Sequence, residues 1–122
     1  MKILIVDDSR LIFVGGSPRS GTTLANRMIC SLEGVCGGPE FDLMPQIMQL
    51  HKSGKEKISS GRISEFLNSD DLDNSVRNLV FDMFSPYLFR NSESTFLSEK
   101  TPSNILFFNE MIQLSQSQSL YS

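Results

Sequence analysis

The residues best suited to chemistry lie in a glycine-rich turn, Leu11 to Leu24, with the sequence LIFVGGSPRSGTTL. An apolar run typical of a buried strand leads into glycines, hydroxyl side chains and one arginine. Glycines let the backbone turn tightly and present its N–H groups, and the N-terminus of a following helix favours negative charge. The turn therefore predicts a binding site for a phosphate-like anion. The residues expected to form it are Arg19, Ser20, Gly21, Thr22, Thr23 and Leu24.

The turn departs from the nucleoside-triphosphate loop G-x-x-x-x-G-K-[ST] at one position. Residues 16–23 read G-S-P-R-S-G-T-T, so that Thr22 stands where that loop has a lysine. Because this lysine contacts the β- and γ-phosphates, its absence argues against ATP or GTP as the ligand. A P-loop kinase or NTPase, which would also need magnesium, stays open as an alternative function.

Two further charged residues follow short apolar segments. Glu40 comes after two glycines and a proline, where a rigid turn could aim its carboxylate at the carboxyl edge of a sheet. Lys100 ends a second short strand, and open α/β sheets bind ligands at this edge. The alternatives are a solvated carboxylate for Glu40 and a surface ion pair with Glu99 for Lys100. His51 lies in the middle of a predicted helix with no acidic residue near it in sequence, which favours a structural role.

Apolar periodicity beyond the turn predicts alternating helices and strands. The predicted elements are a helix at 21–33, a strand at 35–38, a helix capped by Asp42 with Pro45 in its first turn, a short helix at 63–67, a helix capped by Asp71 and stopped by Pro86, a strand at 95–98 and a helix opened by Thr101. This order favours an α/β fold, with a small parallel sheet flanked by helices. Residues 115–122 lack periodicity, and we expect them to be disordered.

Length and composition limit the class of protein. The 122 residues, 39% of them hydrophobic, suffice for one modest core. A net charge of −3 argues against a broad nucleic-acid surface. Cys30 and Cys36 are too few for a zinc site or a disulfide framework and predict two reduced thiols. Since no stretch is long and apolar enough to span a bilayer and no secretory signal is visible, a cytoplasmic protein is expected.

Three segments in order resemble a known family. PRSGTTL (residues 18–24) after IFVGG resembles the phosphosulfate loop of sulfotransferases that use 3′-phosphoadenosine 5′-phosphosulfate (PAPS), in the branch that includes tyrosylprotein sulfotransferases. GGPEFDLMP (37–45) and SEKTPSNIL (98–106) are similar to the family's next two motifs. The resemblance covers about 11–114. It implies a P-loop-containing nucleotide-hydrolase-like fold, PAPS as cosubstrate without a metal, and transfer of a sulfuryl group to an acceptor hydroxyl.

The resemblance also implies roles for individual residues. Glu40, five positions before Pro45, would be the base that takes the proton from the acceptor hydroxyl, and Lys100 would contact the transferred sulfuryl group or the bridging oxygen. Residues 19–24 would hold the phosphosulfate. Tyrosylprotein sulfotransferases bind acidic peptides through arginines whose matching positions here are Asp42 and Gln46. An acidic protein acceptor is therefore not expected, and the class of acceptor stays open.

The two ends of the chain depart from the family. Related domains continue into a strand that supplies an arginine and a serine for the 3′-phosphate, whereas LSQSQSLYS follows here. We therefore expect 11–114 to be an incomplete, N-terminal portion of a sulfotransferase domain. MKILIVDDSR resembles the opening of response-regulator receiver domains, with Asp7 and Asp8 as the acidic pair, but 45–60 offers no phosphorylatable aspartate. Residues 1–10 are interpreted as a leader that could add an edge strand. A catalytically inactive interaction or signalling module is the third alternative.

Overall fold

A computed structural model of the chain describes residues 2–6, 10–16, 21–38, 40–91, 93–114 and 119–121. In this part of the chain, helices pack against one five-stranded sheet. The strands are β1 (Lys2–Val6), β2 (Leu11–Gly15), β3 (Val35–Gly37), β4 (Phe96–Lys100) and β5 (Ser119–Tyr121). The helices are α1 (Thr22–Cys30), α2 (Met44–Ser59), α3 (Ser69–Arg90) and α4 (Phe108–Leu114), with a 3₁₀ helix at Pro102–Phe107. None of the described helices is both long and apolar enough to cross a bilayer.

The sheet is mixed, with the strand order β3-β4-β2-β1-β5. β4 runs parallel to both β2 and β3, with Phe13 opposite Glu99 and Cys36 opposite Leu97. The α/β fold is confirmed, but the parallel arrangement is wrong for β1, which pairs antiparallel with β2. The reason is the short connection between them, because parallel neighbours need a crossover of about a dozen residues. Asp7 and Asp8 lie outside the described residues.

The last strand differs from the expectation for the end of the chain. β5 pairs antiparallel with β1, where Leu4 lies opposite Leu120, whereas disorder is expected from the sequence of 115–122. Pairing with an open strand edge supplies hydrogen bonds that a search for periodicity cannot detect. β1 thereby lies between β2 and β5 and is not an edge strand. Residues 115–118 and 122 lie outside the described part, and the division of the chain into 1–10, 11–114 and 115–122 stays a prediction.

The core lies between the sheet and α2, α3 and α4. Leu72, Val76, Val80, Phe84 and Leu88 recur every fourth residue along α3, which places them on one face of this helix, and all five are buried. The other elements contribute a second group of buried apolar side chains. These are Leu4, Val6, Leu11, Phe13, Leu97, Met44, Ile47, Met48, Phe108, Met111 and Leu114.

The ends of α2 and α3 differ from the predicted ones. α3 begins after Asn68, whose side chain accepts the Asp71 N–H at 2.9 Å while the Asp71 carboxylate accepts the Asn68 N–H at 3.0 Å. This reciprocal pair is a capping box, so Asp71 lies inside the first turn. Pro86 lies within α3 and does not stop it, and the N-cap of α2 is Leu43, not Asp42. The short helix expected at 63–67 is a turn.

Candidate active site

The glycine-rich turn places the N-terminus of α1 beyond the end of β2. Gly21 has a φ of 86°, a left-handed conformation that favours glycine, and α1 begins at the next residue. Because Gly21 has no side chain to cap the helix, the N–H groups of the first turn have no side-chain partner among the described residues. An open concavity of about 420 Å³ lies here, lined by Gly21, Thr22, Thr23, Leu24 and Arg27. Arg19 and Ser20 lie outside the described residues.

Lys100 connects two of the predicted site residues. Its Nζ lies 2.7 Å from Oε1 of Glu40 and 3.4 Å from Oγ1 of Thr23. We call Thr23, Glu40 and Lys100 the carboxyl-edge site. They meet because each residue follows or ends a strand of the parallel part of the sheet, and parallel strands end at the same edge. The alternative ion pair between Lys100 and Glu99 is not formed, since Glu40 is the partner.

The packing predicted for Leu24 is wrong. We expect it to pack beneath the turn, yet its side chain is 63% exposed, and Met28 and Leu32 on the same helix face are exposed too. The face of α1 turned toward the sheet is polar instead. Thr22 is buried, and Asn26 accepts a hydrogen bond of 2.5 Å from the Ser98 hydroxyl. Apolar spacing identifies a helix but not the face that meets the sheet when that face is polar.

Sequence reasoning missed a buried polar cluster behind the carboxyl-edge site, formed by Glu99, Thr101 and Asn104 and called here the Glu99 cluster. Side chains alternate along a strand, so Glu99 points away from the side of β4 that carries Lys100. Glu99 accepts the Phe41 N–H at 3.1 Å and the Asn104 side-chain amide at 2.7 Å. The alternation along β4 could have indicated that Glu99 and Lys100 lie on opposite faces of the sheet. The hydrogen-bond partners of Glu99 are visible only in the three-dimensional structure.

Glycines 37 and 38 let the chain that leads to Glu40 pass close to its neighbours. A Cβ added at Gly37 would lie 2.4 Å from Sγ of Cys30, and one at Gly38 would lie 3.0 Å from Oη of Tyr87. The Tyr87 hydroxyl also donates a hydrogen bond of 2.6 Å to the Gly37 carbonyl. Cys30 and Cys36 are free thiols, as expected. Burial raises the pKa of the Cys30 thiol, although a hydrogen bond with Ser98 acts in the opposite direction.

A cavity of about 310 Å³ lies beside Glu40. Phe41 and Phe84 form part of its wall, with ring centroids 4.4 Å apart and an interplanar angle of 69°. The other lining residues are Gly38, Met83, Tyr87, Arg90, Leu97, Ser98 and Glu99. Phe84 and Tyr87 belong to the packed core beside this cavity, whereas Phe81 and Phe89 are exposed. The cavity combines an apolar wall with a carboxylate at its rim.

His51 lies in a second polar cluster, among the helices. It is fully buried on α2, with Nε2 2.7 Å from Asp73 on α3 and Nδ1 2.8 Å from Glu110 on α4. Lys55 adds an ion pair of 2.8 Å to Asp73. We call His51, Asp73 and Glu110 the helix cluster. It joins three helices, and neither carboxylate belongs to the carboxyl-edge site, which agrees with the structural role predicted for His51.

Hydrogen bonding sets the charge of Asp73 in the helix cluster. Burial alone would raise the pKa of Asp73, but hydrogen bonds from His51 and Lys55 outweigh burial and hold the pKa below its ordinary value. The charged carboxylate is therefore the favoured form beside the imidazole.

An α/β protein with an uncapped helix N-terminus, a lysine and a carboxylate at the carboxyl edge of its sheet has the architecture of a nucleotide-type anion site. Comparison with known families narrows this class. The family model described as "Sulfotransferase family" matches residues 11–115, which is most of the chain. The chain belongs to the sulfotransferase family.

Several relatives that the chain resembles are named as protein-tyrosine sulfotransferases. Protein-tyrosine sulfotransferase 1 of Homo sapiens is 33% identical over 111 residues, covering 78% of this chain and 29% of the relative. The Drosophila melanogaster protein-tyrosine sulfotransferase is 42% identical over 66 residues, covering 48% of this chain and 13% of the relative. Protein-tyrosine sulfotransferase 2 of Gallus gallus is 31% identical over 97 residues, covering 75% and 24%. The chain thus spans less than a third of the length of these relatives.

Proposed function

We propose that this chain carries the phosphosulfate-binding and proton-accepting part of a PAPS-dependent sulfotransferase whose acceptor is a tyrosine hydroxyl on a protein. One observation carries the proposal: Lys100 Nζ lies within 2.7 Å of the Glu40 carboxylate and 3.4 Å of the Thr23 hydroxyl, at the N-terminus of α1. A cation, a base and anion-binding donors are the groups that transfer of a sulfuryl group requires.

The donors at the turn fit the phosphosulfate of PAPS. The uncapped N–H groups at the start of α1 and the hydroxyls of Thr22 and Thr23 suit the oxygens of an anion. Lys100 beside Thr23 adds a full positive charge, and Arg27 lines the concavity at the start of α1. Because Thr22 takes the place of the P-loop lysine, these donors favour a phosphosulfate over a triphosphate.

The residues of the carboxyl-edge site divide the chemistry between them. Bound PAPS supplies the sulfuryl group, to whose sulfur the acceptor oxygen bonds as adenosine 3′,5′-bisphosphate leaves. Glu40 accepts the proton of the acceptor hydroxyl on its carboxylate. The Lys100 ammonium stabilises the negative charge that develops on the bridging oxygen, and the Thr23 hydroxyl helps hold that ammonium in place.

The cavity beside Glu40 supports an aromatic acceptor. Its volume of about 310 Å³ is at the lower end of the range for small-molecule sites, and Phe41 and Phe84 offer ring faces and edges for a phenol to pack against. The names of the relatives point to the same acceptor. Asp42 and Gln46 are exposed and would not attract acidic residues, so we propose a tyrosine with neutral or basic neighbours in its sequence.

A transfer assay tests the proposal. The chain is incubated with PAPS carrying labelled sulfate and with a peptide that holds one tyrosine among neutral residues, and label in the peptide is counted. We expect transfer by the wild type and its loss in Glu40→Gln, since an amide cannot accept the proton. Glu65→Gln, at an exposed residue in the loop between α2 and α3, is the matched control and should keep the wild-type rate.

The alternatives give different results in the same assay. Label from ATP with magnesium that reaches the peptide or is released as inorganic phosphate, with none transferred from PAPS, would indicate a P-loop kinase or NTPase. Absence of transfer and of phosphate release with either donor, with a folded wild-type chain, would indicate the interaction or signalling module. A peptide in which the tyrosine is replaced by phenylalanine should take up no label if the phenol is the acceptor. The cytoplasmic localisation stays a prediction, which fractionation of the producing cells would test.

A further inference from the structure

We propose that Glu99 is a positioning residue that fixes the backbone after Glu40 and thereby holds the Glu40 carboxylate beside Lys100. This proposal rests on the proposed function, because it explains how the Glu40 carboxylate of the carboxyl-edge site is held in position. Glu99 does not face the carboxyl-edge site itself, since it points to the opposite side of β4 from Lys100. Its effect passes through the chain segment that carries Glu40.

The first step is a hydrogen bond to the residue next to Glu40. Oε1 of Glu99 accepts the Phe41 N–H at 3.1 Å, although the two residues lie 58 positions apart in sequence. This bond ties the loop after β3 to the end of β4. Glu40 itself has a side chain 43% exposed, and its ion pair with Lys100 is near the surface. Exposed ion pairs are weak, so the pair alone does not fix the loop.

The second step extends the support by one residue. Oγ1 of Thr101 accepts the Asp42 N–H at 3.3 Å and donates its own proton to Oε1 of Glu99. Asp42 has a φ of 54°, a left-handed conformation that is uncommon outside glycine. Such a conformation persists where surrounding contacts determine it. The Glu99 cluster thus holds two successive N–H groups directly after Glu40.

The third step is the burial of the cluster. Glu99 is 3% exposed, Thr101 2% and Asn104 0%. No Lys, Arg or His in the described ranges pairs with Glu99, so its oxygens are satisfied by three neutral donors: Phe41 N–H, the Thr101 hydroxyl and the Asn104 amide. A buried carboxylate without a cation is costly unless it is fully hydrogen-bonded, which makes these three bonds specific and rigid.

Asn104 allows the role of Glu99 to be tested with a substitution that keeps the shape of the Glu99 side chain. The Asn104 amide donates to Oε2 of Glu99 at 2.7 Å, while Oδ1 of Asn104 has no hydrogen-bond partner in the described part of the chain. In Glu99→Gln the new amide group would face Asn104, which can turn its own amide over and offer this unused oxygen. Glu99→Gln should therefore keep the bonds to Phe41 and Thr101, whereas Glu99→Ala removes them.

The experiment compares Glu99→Ala, Glu99→Gln and the wild type by amide hydrogen exchange and by transfer kinetics. In Glu99→Ala we expect the Phe41 amide to exchange about tenfold faster, because its hydrogen bond is lost. We also expect kcat to fall about 10²-fold through misplacement of Glu40, with KM for PAPS little changed. Glu99→Gln should keep the Phe41 exchange rate near that of the wild type and should lose much less kcat than Glu99→Ala. Asp73→Asn, which weakens the helix cluster, should lower stability and change neither.

A substrate-free measurement separates this proposal from the proposed function. The carbon chemical shift of the Glu40 carboxyl group should respond to Lys100→Met in the wild-type background and not in the Glu99→Ala background. If Glu99→Ala does not fold, Thr101→Val takes its place, with faster exchange expected at Asp42.

The positioning role would be overturned by unchanged exchange at Phe41 in Glu99→Ala, or by an equal loss of kcat in Glu99→Gln and Glu99→Ala. The same response of Glu40 to Lys100→Met in both backgrounds would overturn it as well. A wild type that transfers no sulfate contradicts the proposed function and not the positioning role. The positioning role is still tested by the exchange rate of the Phe41 amide and by the chemical shift of the Glu40 carboxyl group.

Discussion

The carboxyl-edge site and the helix cluster are both polar, and both join residues from separate elements, but they meet solvent differently. In the carboxyl-edge site Glu40 is 43% exposed and Lys100 18%, whereas His51 in the helix cluster is fully buried. An ion pair near solvent can part for a ligand at little cost, while a buried pair is costly to break. The first arrangement suits binding and catalysis, and the second suits the packing of three helices.

The largest expected effect separates activity from stability at Lys100. Lys100→Met should lower transfer about 10²- to 10³-fold, because one charge-stabilising donor is removed. The midpoint of urea unfolding should change little, since the lost ion pair is partly exposed. Lys55→Met is the matched control: its ion pair lies with Asp73, so it should lower stability slightly and leave transfer intact. Equal transfer rates of Lys100→Met and the wild type would show that Lys100 takes no part in the transfer reaction.

The opposite result is expected at His51. His51→Leu leaves Asp73 and Glu110, whose side chains are only 18% and 20% exposed, without the imidazole between them. The free energy of unfolding should fall by about 3 kcal/mol, measured by urea denaturation. Any transfer activity of the fraction that stays folded should match the wild type. A stable His51→Leu variant that has lost transfer would contradict the division between the two regions.

A fall in pH should weaken the helix cluster. The pKa of Asp73 is lowered in the folded protein, so its contribution to stability is fully present above the ordinary pKa of about 4 and is lost as pH falls through the lower folded pKa. The midpoint temperature of thermal unfolding should therefore fall between about pH 5 and pH 2, and it should fall less in Asp73→Asn than in the wild type. Identical pH profiles for the two proteins would show that Asp73 is not held in its charged form.

The smallest effect is expected at the exposed face of α1. Leu24→Ser should change the free energy of unfolding by less than about 0.5 kcal/mol, since the Leu24 side chain is 63% exposed. Leu97→Ala, at a buried position of β4, is the comparison and should cost about 2–5 kcal/mol. A large loss in Leu24→Ser would mean that Leu24 packs beneath the turn after all.

The convergence of Thr23, Glu40 and Lys100 was predictable because each follows or ends a short apolar segment, and parallel strands end at one edge. The helix cluster was not, because Asp73 and Glu110 lie 22 and 59 residues from His51 and meet it only through helix packing. The hydrogen bond from Phe41 to Glu99 spans 58 residues and was hidden for the same reason. The local sequence pattern thus predicts the element and the sheet edge on which a residue lies, and tertiary packing decides which side chains contact each other.

Errors in the predicted elements have a common cause. Leu24, Met28 and Leu32 share an apolar face of α1 that is exposed, because Thr22 is buried and Asn26 bonds to Ser98 on the side of α1 that meets the sheet. Tertiary pairing likewise places β5 beside β1 in a segment without periodicity. Intrinsic preference is a weak guide wherever a specific partner is available.

The proposed function requires that the N-terminus of α1 and Lys100 bind a phosphosulfate nucleotide. Calorimetric titration of the wild type with adenosine 3′,5′-bisphosphate measures this binding, with ATP and magnesium as the competing ligand and Thr23→Ala as the comparison variant. We predict that the bisphosphate binds, that ATP with magnesium binds more weakly, and that Thr23→Ala weakens binding of the bisphosphate. Tighter binding of ATP with magnesium, or no binding of the bisphosphate by a folded chain, would contradict the proposed function.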